Sequence, residues 1–392
     1  MGAIQMRSIN QWTTRRASTT AAQGTLNFLS NSQLLLIRQN STKNTQQQSS
    51  SSATTEQVVN PFVQKTLTCQ SETGTKTRRK RKTKAWYAPY LALTKPRLTA
   101  LVVLSAMSAY SLAPCETTLS QLTFLTIGTT LASGSANAIN MAREHVFDGM
   151  MTRTRTRPVV RGLLSPRLAF LFAGVSGTVG VLALYFGVNP IVAALGAANI
   201  GLYGGLYTSM KRKTIANTWA GAIVGAIPPL MGWAASTGNL NDPGAWTLAA
   251  LLYAWQFPHF MSLSHGIREE YRRAGHVMAC WTNPALNARV ALRYSIVMFP
   301  ICFAMSYYGV TDWVFVLDSA ILNTWLTYGA YIFWKEQRYN TKPVSTSGKG
   351  SGSARILFWG SVWHLPGVLV LAMLHKKGQW DWLFGKKDEE TF

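Results

Sequence analysis

Residues Asn137–Pro158 read NAINMAREHVFDGMMTRTRTRP. They join two apolar runs of bilayer-spanning length, yet they hold two asparagines, two carboxylates, a histidine and four arginines. Ionisable groups beside lipid are costly, and they usually mark function. Asn140, Glu144 and Asp148 recur every four residues, so on a helix they form one stripe, with Asn137 a turn earlier on nearly the same face. Two carboxylates and an amide on one face at a membrane boundary suit a hard cation. Magnesium takes oxygen ligands, keeps several waters and binds together with phosphates. Arg153 and Arg157 follow just downstream, and guanidinium groups clamp phosphate oxygens in fork geometry. The stretch predicts a magnesium–diphosphate site. The plain alternative is a loop of snorkelling side chains with surface ion pairs.

Outward from this stretch, apolar runs of roughly 20 residues, the length that crosses a bilayer, recur from residue 97 to the end. They fall near 97–113, 119–138, 168–187, 190–208, 217–236, 245–265, 290–310, 312–334 and 355–374. The expected fold is all-α, a polytopic membrane bundle of about nine transmembrane helices in a lipid bilayer. Charge tests that count. The loops after the first, third, fifth and seventh runs hold no Lys or Arg. Those after the second, fourth, sixth and eighth are basic, with Arg143 to Arg167, Lys211 to Lys213, Arg268 to Arg293 and Lys335 to Arg355. The alternation follows the positive-inside rule, and a missed or invented helix would put it out of phase.

The chain has 392 residues, with 38 Lys and Arg against 15 Asp and Glu and a net charge of +23. Such an excess suggests nucleic acid, but here it is dealt out to alternate loops, which excludes that partner. Residues 1–60 are rich in Ser, Thr, Gln and Asn, carry scattered arginines and have no acidic residue before Glu56. That composition predicts a mitochondrial transit peptide and disordered head, a plain disordered tail being the alternative. Residues 61–96 form a basic linker whose KTRRKRKTK run suits a membrane-surface anchor beside acidic lipid. Residues 97–375 form the intramembrane domain and 376–392 a polar tail. The expected location is the mitochondrial inner membrane, with both polar clusters facing the matrix. Cys69, Cys115, Cys280 and Cys302 lack metal-ligand spacing, so neither a zinc site nor a disulfide framework is expected.

A second polar cluster closes the sixth run, WQFPHFMSLSHGIREEYRRAG. Pro258 should kink the helix or free backbone carbonyls. His259 follows it, and Glu270 lies eleven residues on, close to three turns, so one continuous helix would put both on one face. Glu269 is a less certain ligand, about 100° round the helix. His259 is open to several roles: a ligand, a donor to diphosphate, which its place near the carboxylates favours, or a base. Lys95 and Arg97 at the start of the first helix, and Lys211 and Arg212 in YTSMKRKT, either touch phosphate or anchor the chain. His364 in SVWHLP is either a ligand or a hydrogen-bonded structural histidine.

These residues resemble the UbiA superfamily of intramembrane prenyltransferases and, within it, the branch that farnesylates haem. The matching segments are LTKPRLTALVVLSAMSAY, NAINMAREHVFDGMMTRTRTRPVVRG, YTSMKRKTIANTWAGAIVGAIPPLMGWAASTG, WQFPHFMSLSHGIREEYRRAGHVM and VWHLP, covering 92 to about 374. The resemblance implies nine helices around a lateral cavity. It implies transfer of a farnesyl group from farnesyl diphosphate to a vinyl group of haem B, making haem O on the way to haem A. The first aspartate-rich motif falls on Asn140, Glu144 and Asp148, and the second around Glu269 and Glu270, with Mg2+ as the metal. Asn137, Arg153, Arg157 and His259 match positions the family treats as functional. Glu144 and Glu270 stand where bacterial relatives commonly have Asp, a change that metal ligation survives. The reading is compatible with partners in haem A synthesis or oxidase assembly, and with an oligomer. Its rivals are a 4-hydroxybenzoate polyprenyltransferase, disfavoured by WQFPHF and VWHLP, and a non-catalytic haem transporter or scaffold. The transporter would line a path across the membrane rather than cluster its polar groups at one face.

Overall fold

The computed structural model describes residues 86–115, 118–341 and 351–380. The expected transit peptide, the KTRRKRKTK run, Cys69 and the last part of the polar tail lie outside the described residues. In chain order the helices are α1 (Ala88–Leu93), α2 (Pro96–Leu112), α3 (Leu119–Asp148), α4 (Pro166–Gly187), α5 (Pro190–Gly201), α6 (Asn217–Thr237), α7 (Pro243–Gly266), α8 (Arg268–Arg273), α9 (Ala279–Thr282), α10 (Pro284–Tyr307), α11 (Val314–Gln337) and α12 (Gly352–Leu374). Helix α5 continues through a π-helical turn, Leu202–Tyr207, and a last turn, Thr208–Met210.

Local sequence explains where these helices start. Proline opens α2, α4, α5, α7 and α10, where its missing N–H costs nothing and its fixed φ suits a first turn. Just before four of these prolines, Ser165, Asn189, Asp242 and Asn283 accept a bond from an N–H of the first turn. The Pro284 start with its Asn283 cap places α10 six residues ahead of the expected 290. Helix α3 runs past the expected end at 138 to Asp148, so the whole opening stripe rides on one rigid 30-residue helix.

Among the described residues, four helical stretches are long and apolar enough to cross a membrane: Pro166–Gly187, Pro190–Met210, Pro284–Tyr307 and Gly352–Leu374. Two other long helices are charged: α3 ends in the carboxylate stripe, and α11 holds Asp318 near its start and Lys335 and Glu336 near its end.

The packing runs in a circuit. Helix α2 lies beside α3 and α6, α3 beside α4, α4 beside α5, and α5 beside α6. The path continues from α6 to α7, from α7 to α10 and α12, and through α11 back to α12, which touches α2. Between helices in lipid, close van der Waals packing matters more than apolar burial. Gly232 shows how close it becomes: a Cβ there would lie 1.9 Å from the Ala106 carbonyl oxygen, so α6 crosses α2 at backbone contact. Trp233, Phe257, Phe315 and Phe333 fill the core on the other side.

Two further features matter for the site. A satellite cluster of Met151, Tyr271, Ala274, Met278 and Cys280 packs the loop after α3 against the α8–α9 segment. At the opposite end of α2, His375 bonds Asp312 Oδ2 at 3.1 Å and Asp318 Oδ2 at 3.0 Å. Its neighbour Lys376 donates to the Ser111 and Ala113 carbonyls at 2.7 and 2.9 Å, satisfying the open C-terminal end of α2.

Candidate functional site

Helix α3 brings Asn140, Glu144 and Asp148 to one buried face. Each of these oxygen-bearing side chains meets a cation, two of them from distant parts of the chain and one from the loop just after α3. Lys95 Nζ donates to Asn140 Oδ1 at 3.2 Å, Lys211 Nζ to Glu144 Oε2 at 2.8 Å, and Arg157 to Asp148. Asn140 Nδ2 also donates to Glu144 Oε2 at 2.7 Å and to Thr208 Oγ1 at 3.2 Å, which ties the stripe to α5.

Lys95 reaches the stripe through an unusual backbone. Its φ of 48° puts it in the left-handed region, where it stands as the N-cap of α2. A non-glycine residue there costs of order 1–3 kcal/mol. Asn137 supports that turn, its amide donating to the Thr94 carbonyl at 3.2 Å and more weakly to Thr99 Oγ1 at 3.4 Å. Asn137 is thus turned towards the α1–α2 junction, while the rest of the stripe faces the cations.

Three site groups beyond the expected spans have perturbed acidities. Burial, then the charges of Arg157 and Lys211, hold the Lys95 ammonium well below the usual lysine range. Burial pushes the Glu144 carboxyl up, but Lys211, with His276 and Asn140, together keep the group below its ordinary value. Burial pushes the His276 imidazole down, against the pull of Glu144. His276 sits edge-on to Phe147 and Tyr271, under the cluster, and its Nδ1 is buried without a partner among the described residues.

The second polar segment corrects a sequence expectation. Helix α7 passes through Pro258 but ends at Gly266, and Glu269 and Glu270 belong to the separate helix α8. His259 and Glu270 therefore do not share a helical face. Glu270 accepts from Thr152 Oγ1 and, at 3.3 Å, from the Arg153 backbone N–H, so both polar segments emerge on one side of the bundle. Glu269 turns outward to Arg272 and Arg273 at 3.0 and 3.2 Å, and those bonds hold its carboxyl below the usual range. Among the described residues no three His, Cys, Asp or Glu side chains converge as a metal cage. The expected metal residues stand as two groups: Asn140, Glu144 and Asp148 line α3, while Glu270 stands against the loop that follows and Glu269 is engaged by Arg272 and Arg273.

Other expected residues lie apart from the stripe. His259 stacks on Trp255 with centroids 4.7 Å apart, and its Nδ1 meets Ser361 Oγ of α12 at 3.0 Å. His364 is fully buried, its Nε2 bonded to Asn323 Oδ1 at 2.9 Å. Arg97 is exposed at the start of α2, and the exposed Arg212 lies 4.2 Å over the Phe147 ring. The side chain of Arg153 is exposed.

Sequence reasoning missed Tyr203 and Tyr207, which stack at 5.4 Å beside the stripe, and His276. The signal for the tyrosines was their four-residue spacing ahead of Lys211 in YGGLYTSMK.

The donor set suits a divalent cation. Three oxygen donors on one face already hold positive groups, and such a face can exchange a protein cation for a hard metal ion while the freed Lys or Arg turns to phosphate oxygens.

Comparison with known proteins bears on the same residues. The model of the UbiA prenyltransferase family matches residues 100–346. The chain is 62% identical over 344 residues to the mitochondrial protoheme IX farnesyltransferase of Yarrowia lipolytica, covering 85% of this chain and 73% of that protein. In fold it is similar to a digeranylgeranylglyceryl phosphate synthase, with TM-score 0.59, 14% identity and coverage of 74% and 98% of the two chains. A UbiA homologue from Archaeoglobus fulgidus bound to GPP and Mg2+ has TM-score 0.51 at 12% identity, covering 73% and 99%. The helical circuit, the stripe on α3 and the extent of these matches lead to one assignment: the chain belongs to the UbiA prenyltransferase family.

Proposed function

We propose that this chain transfers a farnesyl group from farnesyl diphosphate to a vinyl group of haem B, producing haem O, in the mitochondrial inner membrane with its diphosphate site facing the matrix. The observation that carries the reading is the meeting of Asn140, Glu144 and Asp148 with Lys95, Lys211 and Arg157 on one buried face. The substrate pair and the mitochondrial location are supported by the likeness to the protoheme IX farnesyltransferase of Yarrowia.

Asn140, Glu144 and Asp148 would hold magnesium, as the Archaeoglobus homologue was seen with that ion and a prenyl diphosphate. When bound, the ion neutralises diphosphate charge and makes it a better leaving group. Lys95 moves from the Asn140 amide oxygen, and Lys211 and Arg157 from their carboxylates, to phosphate oxygens, where they stabilise the negative charge that grows as the allylic C–O bond ionises. Arg153 joins them by turning its exposed side chain inward, and Glu270 fixes its backbone. The haem lies on the α7–α12 side, where the aromatic cluster of Trp255, His259 and Phe358 packs ring on ring. That placement favours a haem contact for His259 over the diphosphate. His364 supports the α11–α12 packing through Asn323.

The test is direct. Purified protein in lipid nanodiscs, given haem B, farnesyl diphosphate and Mg2+, should yield haem O, and pigment extracts of cells lacking the protein should retain haem B and lose haem O and haem A. Haem O at normal levels in those cells would refute the reading.

The proposal includes nine spans. In intact mitoplasts an impermeant thiol reagent should label the exposed native Cys115 in the first loop. A cysteine introduced by Met150→Cys or Arg273→Cys, in a background lacking the native cysteines, should be labelled only after the membrane is opened. Labelling of Met150→Cys in sealed mitoplasts would overturn the orientation.

A further inference from the structure

Tryptophan in membrane helices gathers at the two interfaces, where the ring can lie in apolar surroundings and its N–H in water. On α11 and α12 it stands elsewhere. Trp325 lies at the midpoint of the 24-residue α11, Trp363 at that of the 23-residue α12, and Trp359 one turn before Trp363. The three are 47%, 69% and 56% exposed, so with both helices spanning the bilayer they face hydrocarbon near its centre. Gly360 brings them to one surface. A Cβ there would be 3.9 Å from the Trp325 ring, so the α11 indole reaches the α12 backbone between Trp359 and Trp363.

The same face becomes cationic at one rim. Arg355, Trp359 and Trp363 recur every four residues, so they share one side of α12, and all three are exposed. The guanidinium stands about 12 Å along the helix axis from Trp363. On α11 the exposed Lys335 lies two turns beyond the exposed Tyr328, towards the same end. Glu336 beside it is turned to Ser353 and Gln337. The surface is also joined to the inner aromatic cluster through α12: the Phe358 ring lies 5.1 Å from that of His259 and, edge-on, 5.4 Å from that of Trp359.

Helices that pair in lipid do so on small residues, which let backbones approach. This face is bulky. An acyl chain needs neither rings nor a cationic rim. Flat indoles at mid-depth with cations at one edge suit a flat, apolar, aromatic ligand that carries carboxylates on one side. Resting on the prenyl-transfer reading, we propose that the outer face of α11 and α12 is a loading site for the porphyrin acceptor. The macrocycle lies on Trp325, Trp359 and Trp363, its propionates reach Arg355 and Lys335, and Phe358 connects this site to the cluster where the acceptor is held for transfer.

The experiment supplies haem B from loaded liposomes to nanodiscs that each hold one full-length chain, without farnesyl diphosphate, and follows uptake by the Soret band. Trp359→Leu and Trp363→Leu should each slow uptake by on the order of tenfold, the equivalent of one lost aromatic contact. In turnover they should raise KM for haem B and leave kcat unchanged. Trp363→Phe keeps a ring face and should restore most of the loss. Arg355→Gln should slow uptake of haem B by about threefold, as for an exposed ion pair, and leave uptake of its dimethyl ester, which has no free propionate, as in the parent. Trp313→Leu removes an equally exposed indole at the other end of α11 and should change neither rate. Parental uptake and KM in a variant carrying both Trp359→Leu and Trp363→Leu would overturn the site. That is also the result expected if the face serves another polypeptide, since the nanodisc holds none. An equal loss with Trp313→Leu would overturn it as well. Uptake is independent of the chemistry: a parent that takes up haem B through these rings yet makes no haem O would refute the prenyl-transfer reading and keep the loading site. Normal haem O formation with uptake indifferent to the rings would do the reverse.

Discussion

Asp148→Asn should lower haem O formation by about 100- to 1,000-fold, the range seen when one preorganised electrostatic contact to a developing charge is removed. The substitution keeps the shape and one oxygen but removes the charge that faces Arg157. A neutral amide binds a hard divalent cation weakly and no longer holds the guanidinium at the stripe. The loss should appear in kcat and should be partly relieved by raising Mg2+. Turnover within threefold of the parent, measured in nanodiscs at saturating Mg2+, would remove Asp148 from the site.

Lys211→Met should damage both folding and activity, and the two effects can be separated. Glu144 and Lys211 are a buried pair, with side chains 8% and 12% exposed. Removing one partner leaves a buried carboxylate with its charge uncompensated, which costs about 3–5 kcal/mol. Glu144→Gln in the same chain removes the stranded charge, so the double variant should regain most of the lost thermal stability. Its activity should stay at least 100-fold down, because the ammonium proposed to bind phosphate and the carboxylate proposed to bind metal are both gone. A double variant that recovered turnover along with its melting temperature would make the pair structural.

Much of this was legible in the sequence because helices translate spacing into direction. The interval of four between Asn140, Glu144 and Asp148 needs no tertiary information to become a stripe, and the basic loops set the sidedness that the Glu270–Thr152 contact displays. What sequence could not show was partnership across long separations. Lys211 lies 67 residues from Glu144, and nothing local says that it points there. The break between α7 and α8 was hidden for a related reason: REEYRR is as good a helix as the run before it, so His259 and Glu270 read as one surface. Burial of Met151 and Tyr271 in a small cluster turns α8 to face the neighbouring loop instead. Asn137 shows the limit of spacing as evidence, since it shares the stripe's helix but is drawn away by the Thr94 carbonyl. Tyr203 and Tyr207 were camouflaged as ordinary packing, because a π turn has no sequence signature that distinguishes it from the α-helix around it.

The contacts of Lys376 have a mechanical meaning for the first and last long helices. Lys376 pins α12 to the C-terminal end of α2, while His375 pins it to Asp312 and Asp318 at the start of α11. At its other end α12 is fastened to α11, by Ser353 on Glu336. Helices α2 and α12 thus behave like two blades riveted at one tip. With 17 residues in α2, the tip that carries Lys95 lies roughly 25 Å from the rivet. A small change in the angle between the blades would leave their spacing at Ala113 nearly fixed and grow along their length, so the strain of any such change falls on the bonds that hold Lys95 to Asn140 and Tyr203.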